Sequence, residues 1–177
     1  MKDKRNTGVI ERIANGFLEL LTEKQFIEIT VSEIVEKAQV ARASFYRNFS
    51  STSDVLEFVV DDIVNRIYEI IRPALDNNDE RKWREFIFRF IYLVNESENY
   101  YVLLRSQNIS LLLNRFIETA MALVSDRQNG SINDKYDLIA RFSMICGVLI
   151  RWKDTGMRET PEEIVDYLMD FPLISCD

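Results

Sequence analysis

The sequence predicts an all-α protein of about nine helices, the first three forming a small N-terminal unit and the others a larger helical body. Three observations point there. Only five glycines and three prolines occur in 177 residues, so few tight turns interrupt the chain. Apolar side chains return every three or four positions through most of its length, the repeat of a helix with one buried face. The balance of 47% apolar to 29% charged residues is that of a chain able to bury a core without disulfides or metals.

From Thr7 to Lys24, Ile10, Ile13, Ala14, Phe17 and Leu21 make one apolar stripe, weakened by Gly16. After a break at Gln25, Phe26 and Ile27 are expected to tuck against the core. Thr30-Val31-Ser32-Glu33 is a capping box, in which a hydroxyl and a carboxylate three residues apart each satisfy the other's backbone N–H. The short helix it opens places Val31, Ile34, Val35 and Ala38 on one face. Gln39-Val40-Ala41 breaks the chain again. In the next short helix Phe45 and Phe49 share a face, so Arg42, Ala43, Ser44, Tyr46 and Arg47 must project elsewhere. Two short helices joined by such a turn are a helix-turn-helix.

A long helix is expected over 51–71, opened by Ser51 with Asp54 and stopped by Pro73. Another, over 81–94, carries Phe86, Phe90 and Val94 on one stripe, widened by Trp83, Ile87 and Ile91. A short apolar helix over 100–106 precedes one over 109–125, and "RQNGSIND" at 127–134 reads as a surface loop. The helix over 135–153 is apolar around much of its circumference, which places it at the centre of a domain or against a second subunit. Gly156 closes it, and Thr160 with Pro161 caps and starts the last helix.

Charge and composition narrow the function classes. Residues 1–50 carry eight basic and seven acidic side chains, whereas 51–177 carry 14 basic and 22 acidic, so a polyanion would meet the head and not the body. The chain has no histidine, which removes histidine-activated nucleophiles and histidine metal ligands. It also has no P-loop, dinucleotide-binding glycine motif or Cys-x-x-Cys pair. An enzyme is therefore not expected, nor a cofactor or metal. Cys146 and Cys176 lie far apart in unlike surroundings, and no apolar run reaches the length of a membrane span. With a charged start, Met1-Lys2-Asp3-Lys4-Arg5, lacking the apolar core of a secretion signal, the expectation is a cytoplasmic protein that engages no membrane.

The stretch Ile29 to Leu56, "ITVSEIVEKAQVARASFYRNFSSTSDVL", resembles the TetR family of bacterial transcriptional regulators. Thr30, Val31, Ile34, Ala38, Val40, Phe45, Tyr46, Phe49, Ser51 and Leu56 match the family's pattern in kind, without a gap, and "LIRWKDTG" followed by "TPEEI" is similar too. The resemblance implies a DNA-binding domain over 1–50 and an effector-binding and dimerisation domain over 51–177. It implies DNA contacts from Thr30, Ser32, Ala41, Arg42, Ala43, Ser44, Tyr46, Arg47, Asn48 and Thr52. Arg42 is the natural base reader, because a guanidinium can donate two hydrogen bonds to guanine. Thr30, Ser32 and Tyr46 suit phosphates.

Several positions depart from the family pattern. Gln39 and Gln25 stand where glycine is usual, and Ala41 where a capping serine is. Asn48 replaces a histidine, and Thr52 a lysine that meets a phosphate. The first three bear on stability; the last two predict weaker non-specific binding and a shallower salt dependence.

For the body, the resemblance implies a homodimer through the last two long helices, with Leu138, Phe142, Ile145, Gly147, Leu149 and Trp152 as interface residues. It also implies an effector pocket drawn from Trp83, Phe86, Phe90, Tyr101, Arg105, Phe116 and Arg141. The same aromatic and α-helical apolar positions equally suit the subunit's own core. The function implied is a dimeric repressor, binding palindromic half-sites in double-stranded DNA and released by a small-molecule or protein effector. The alternative is a helical protein-interaction module with weakened operator binding.

Overall fold

Apolar residues at Ile13, Phe17, Leu20 and Leu21 give the first helix, α1 (Lys4–Glu23), its buried stripe in the computed structural model of the chain. The structure describes residues 4–77, 79–96, 98–106, 109–125 and 132–171. They contain, after α1, a 3-10 turn (Phe26–Glu28), α2 (Val31–Lys37), α3 (Arg42–Tyr46), α4 (Thr52–Asn77), α5 (Glu80–Glu96), α6 (Glu98–Arg105), α7 (Ile109–Ser125), α8 (Ile132–Asp154) and α9 (Pro161–Met169). No strand occurs among the described residues. The chain divides into two compact units, Met1–Asp62 and Ile63–Asp177. The loop expected over 127–134 lies mostly outside the described residues; its last three residues open α8.

In the first unit α1 packs on α2 and α2 on α3. Gly16 is what lets α1 approach. A Cβ there would stand 3.0 Å from the backbone nitrogen of Ala38 and 3.3 Å from its Cα. The glycine that weakens the helical pattern is therefore the contact point between two helices. Phe45 and Phe49 are buried as their spacing requires, their ring centroids 5.9 Å apart, and Phe58 of α4 packs edge-on against Phe49 at 5.6 Å.

Two expectations fail here. Ile27 is not tucked into the core but 84% exposed. A 3-10 turn has three residues per turn, so Phe26 and Ile29 fall on the same side and Ile27 between them faces out. Ile29 is the buried anchor, and Phe26 meets Phe17 edge-on at 6.2 Å. Nor does Pro73 stop its helix, since α4 runs on to Asn77. The carbonyl that proline deprives of a partner is that of Glu69, on the exposed side where water can reach it, while buried Ile71 and Ala74 hold the last turns.

In the second unit α5 packs on α6 and α9, and α8 packs on α6 and α7. The stripe on α5 is fully buried: Trp83, Phe86, Ile87, Phe90, Ile91 and Val94. Arg84 of α5 and Asp166 of α9 form an ion pair at 2.5 Å, exposed enough to contribute no more than about 1 kcal/mol. Thr160 and Glu163 form a capping box at the start of α9, with Pro161 at the first helical position. At the end of α8, Gly156 (φ 86°) and Met157 (φ 49°) are both left-handed, and the Trp152 indole Nε1 donates to the Glu159 carbonyl at 3.0 Å. Cys146 lies buried on α8, and burial alone pushes its thiol up to about 12.

Gly16→Ala is expected to destabilise the protein. Overpacking of about 1–3 kcal/mol outweighs the ~1 kcal/mol that alanine gains in helix propensity. Urea unfolding measures this, and a raised midpoint would show that α1 and α2 are not in closest contact at this glycine.

Candidate nucleic-acid interface

The turn between α2 and α3 is built on Gln39, whose φ of 52° lies in the left-handed region. It lets the Gln39 N–H donate to the Glu36 carbonyl (3.1 Å) and the Val40 N–H to the Val35 carbonyl (3.1 Å), closing α2. Gln25, the other position where glycine is usual, has φ −73° and ψ 150°, ordinary extended backbone, so glutamine is unstrained there. Ala41 caps α3 without a side-chain hydrogen bond, as its side chain dictates.

On the outer side of this turn three side chains from the two helices meet. Arg42 Nη1 donates to Ser32 Oγ at 3.1 Å, and Arg42 Nη2 donates to the Tyr46 hydroxyl at 3.4 Å. The Arg42 guanidinium also lies 5.7 Å from the centroid of the Tyr46 ring. All three are exposed, Tyr46 by 51%, and Arg47 is exposed beside them, as are Ala41 and Ala43. Ser44 and Thr52 are half-buried, Thr52 as the first residue of α4.

Two expected contacts are otherwise engaged. Thr30 donates both its backbone N–H (2.9 Å) and its hydroxyl (2.8 Å) to Glu33 Oε2, so the capping box occupies its donors. The Asn48 side-chain amide donates to the Ser44 carbonyl at 2.7 Å, tying off the end of α3.

The cations of this unit whose side chains the structure describes sort into two groups. Lys24 pairs with Glu33, and Lys37 pairs with Glu23 (2.8 Å) and Glu19 (3.5 Å), stitching α1 to α2. Hydrogen bonds from Lys24 and Thr30 hold the Glu33 carboxyl down at about 2, and those to Glu33 and Glu23 raise Lys24 and Lys37 respectively. Arg42, Arg47 and Arg12 lie outside these pairs. Arg12 is a residue that sequence reasoning missed. It reaches from α1 to donate through Nη1 to the Gln39 carbonyl at 3.3 Å, holding the left-handed residue from outside. Its position on the polar side of α1, one residue before buried Ile13, was the available signal.

The residues expected to line an effector pocket separate into two groups. Trp83, Phe86, Phe90 and Phe116 pack ring against ring with Phe142 between the last two, centroids 3.7–5.9 Å apart, and Arg141 covers Trp83 at 5.3 Å. Tyr101 instead donates to Asp154, which Arg105 also approaches at 3.5 Å, and Lys153 sits 4.5 Å over the Tyr101 ring. Of the expected interface residues, Leu138, Phe142, Ile145, Leu149 and Trp152 are buried within the chain itself, and Gly147 faces out. Beside it a groove of about 550 Å³ runs between α8 and α9, lined by Arg151, Thr155, Glu159, Glu163 and Tyr167 among others. Among the described residues no helix is long and apolar enough to cross a membrane, and no cluster of side chains could hold a metal ion.

Comparison with known proteins bears on both units. Residues 16–59 match the model of bacterial regulatory proteins of the tetR family, and residues 81–171 match a transcriptional regulator C-terminal region of the same family. The chain belongs to the TetR family.

This TetR-family chain is 29% identical over 80 residues to the HTH-type transcriptional regulator YvdT of Bacillus subtilis, covering 45% of this chain and 41% of that protein. It is 26% identical over 89 residues to DhaS of Lactococcus lactis, a transcriptional activator of the dhaKLM operon, covering 50% of this chain and 44% of that one. The chain thus spans less than half the length of the curated relatives it matches. Its fold is that of the fatty acid degradation regulator FadR of Bacillus halodurans, with a TM-score of 0.70 at 16% identity, covering 99% of this chain and 97% of that one. It is also that of FadR of Bacillus subtilis, solved in complex with stearoyl-CoA, with a TM-score of 0.68 at 16% identity over 93% and 97% of the two chains.

Two measurements test the local geometry. Gln39→Gly should stabilise the protein by up to about 1 kcal/mol by removing left-handed strain, seen as a higher urea midpoint. Glu33 has a carboxyl depressed in the fold, so its contribution is full above its ordinary value near 4.5 and is lost as pH falls toward about 2. Glu33→Gln should therefore flatten the loss of stability across that window. An unchanged acid profile would remove Glu33 from the network.

Proposed function

We propose that this chain is a homodimeric regulator of transcription. It binds duplex DNA through α3, reads palindromic half-sites and represses until an effector acts on its body. The observation that carries the reading is the split of side chains around α3. Phe45 and Phe49 are buried, while Arg42, Tyr46 and Arg47 stand outside with Ser32 of α2 alongside. Such a face enters the major groove with the first residues of the second helix against base edges. In this reading residues 1–50 are the DNA-binding domain and 51–177 the regulatory and dimerisation domain.

Burial of Leu138, Phe142, Ile145, Leu149 and Trp152 moves the proposed self-association to the outward side of α8 and α9. Gly147 there leaves open space for a close backbone approach. Arg151 shares the groove with Glu159 and Glu163, so a two-fold axis would bring the cation of one copy to the carboxylates of the other. For the effector, support comes from the ring column on α5, α7 and α8, which supplies the apolar surface a small molecule needs, and from the acyl-CoA bound by the Bacillus subtilis FadR. A ligand entering there must part rings now in contact.

A second reading, a protein-interaction module with weakened operator binding, draws on two features. Lys24 and Lys37 are committed to ion pairs, and the Asn48 amide is committed to Ser44. Enrichment of genomic fragments on the full chain, followed by titration of the recovered duplex, separates the two. Arg42→Ala should weaken specific binding by about 1–3 kcal/mol, with a shallow salt dependence in the parent protein. Equal binding by parent and variant would favour the interaction module.

A further inference from the structure

Resting on α3 as the reading helix, we infer that Ser32 is a positioning residue for base recognition. It holds Arg42 in the orientation that selects guanine and does not serve primarily as a phosphate contact. Arg42 is the first residue of α3, and Ser32 belongs to α2, ten positions earlier. A surface arginine ordinarily samples many rotamers, and ordering it on a base edge lowers the affinity gained from the contact. Here the side chain is already restrained in three ways. Nη1 is fixed by Ser32 Oγ, Nη2 by the Tyr46 hydroxyl, and the guanidinium lies against the Tyr46 ring.

The chemistry leaves the reader competent. A guanidinium has five N–H donors, and the two bonds use one on each terminal nitrogen. Each terminal nitrogen keeps a second hydrogen, and guanine offers two acceptors, O6 and N7, in the major groove. Ser32 accepts from Arg42 through a lone pair, so its oxygen orients the guanidinium while its own hydroxyl hydrogen stays free. The restraint joins α2 to α3, so the direction of Arg42 is set by the turn as well as by its own helix. Selectivity follows because the restraint acts before DNA is met. It lowers the ordering penalty only for sites that use the arginine in that orientation.

The test is selection of duplexes from a randomised pool by the full chain, repeated with Ser32→Ala, Ser32→Thr and Arg42→Ala. The parent should enrich a two-fold-related motif with a guanine in each half-site, and Arg42→Ala should lose information at that base while keeping the others. Ser32→Ala should relax preference at the same base by roughly three- to tenfold, and by clearly more than it weakens binding to a motif lacking the guanine. Ser32→Thr, which keeps the hydroxyl, should restore the preference. Alanine at an exposed helical position favours folding, so a loss cannot be assigned to an unfolded head. A uniform loss across all sequences would overturn the inference and make Ser32 a phosphate contact; an unchanged motif would overturn it as well. If the parent enriches no sequence, the reading of α3 as a DNA reader fails first, and that outcome is distinct from both.

Discussion

The head of this protein depends on one close approach, between the backbone of α1 at Gly16 and that of Ala38 at the end of α2. Because Ala38 is pinned there, the next residue, Gln39, must turn the chain at once, and it does so in the left-handed region. That turn in turn fixes where α3 begins and hence which side of Phe45 is covered. Arg12 closes the circuit by donating from α1 to the carbonyl of Gln39. A strained residue held from both sides is tolerable because the surrounding helices leave it no other conformation.

Electrostatics divide the same unit along a different line. The lysines between α1 and α2 serve the fold, paired with Glu19, Glu23 and Glu33, whereas Arg12, Arg42 and Arg47 lie outside those pairs. The chemistry suits the division. An ammonium is a compact point charge that partners a carboxylate from any direction, while a guanidinium presents a planar fork matched to base edges and phosphates. A net charge of +1 over residues 1–50 therefore understates how basic the α3 face is.

What the sequence made legible is what depends on nearby residues. The capping boxes at Thr30 and Thr160, the Phe45–Phe49 pair and the buried stripe of α5 all rest on spacings of three or four, and all stand in the structure. What spacing left unread has a common origin in contacts that it does not encode. Ile27 faces out because a 3-10 turn changes the period for three residues. Gly16 reads as a defect until Ala38 is seen beside it. Periodicity marks Leu138, Phe142 and Ile145 as buried but cannot tell a subunit's own core from a partner's, and here the chain itself covers them. The Arg42–Ser32 bond spans ten residues across a turn and has no signature in one dimension.

The placement of the two tryptophans has an optical consequence. Trp83, beneath the Arg141 guanidinium, and Trp152, hydrogen-bonded to the Glu159 carbonyl, both belong to the second unit. The first unit contains no indole, and its one phenol is Tyr46, on the α3 face. Excited at the red edge, the chain emits from its body alone. A spectral change on adding DNA would come from indoles in a different unit from Arg42 and Tyr46, giving a label-free measure of whether binding is felt there.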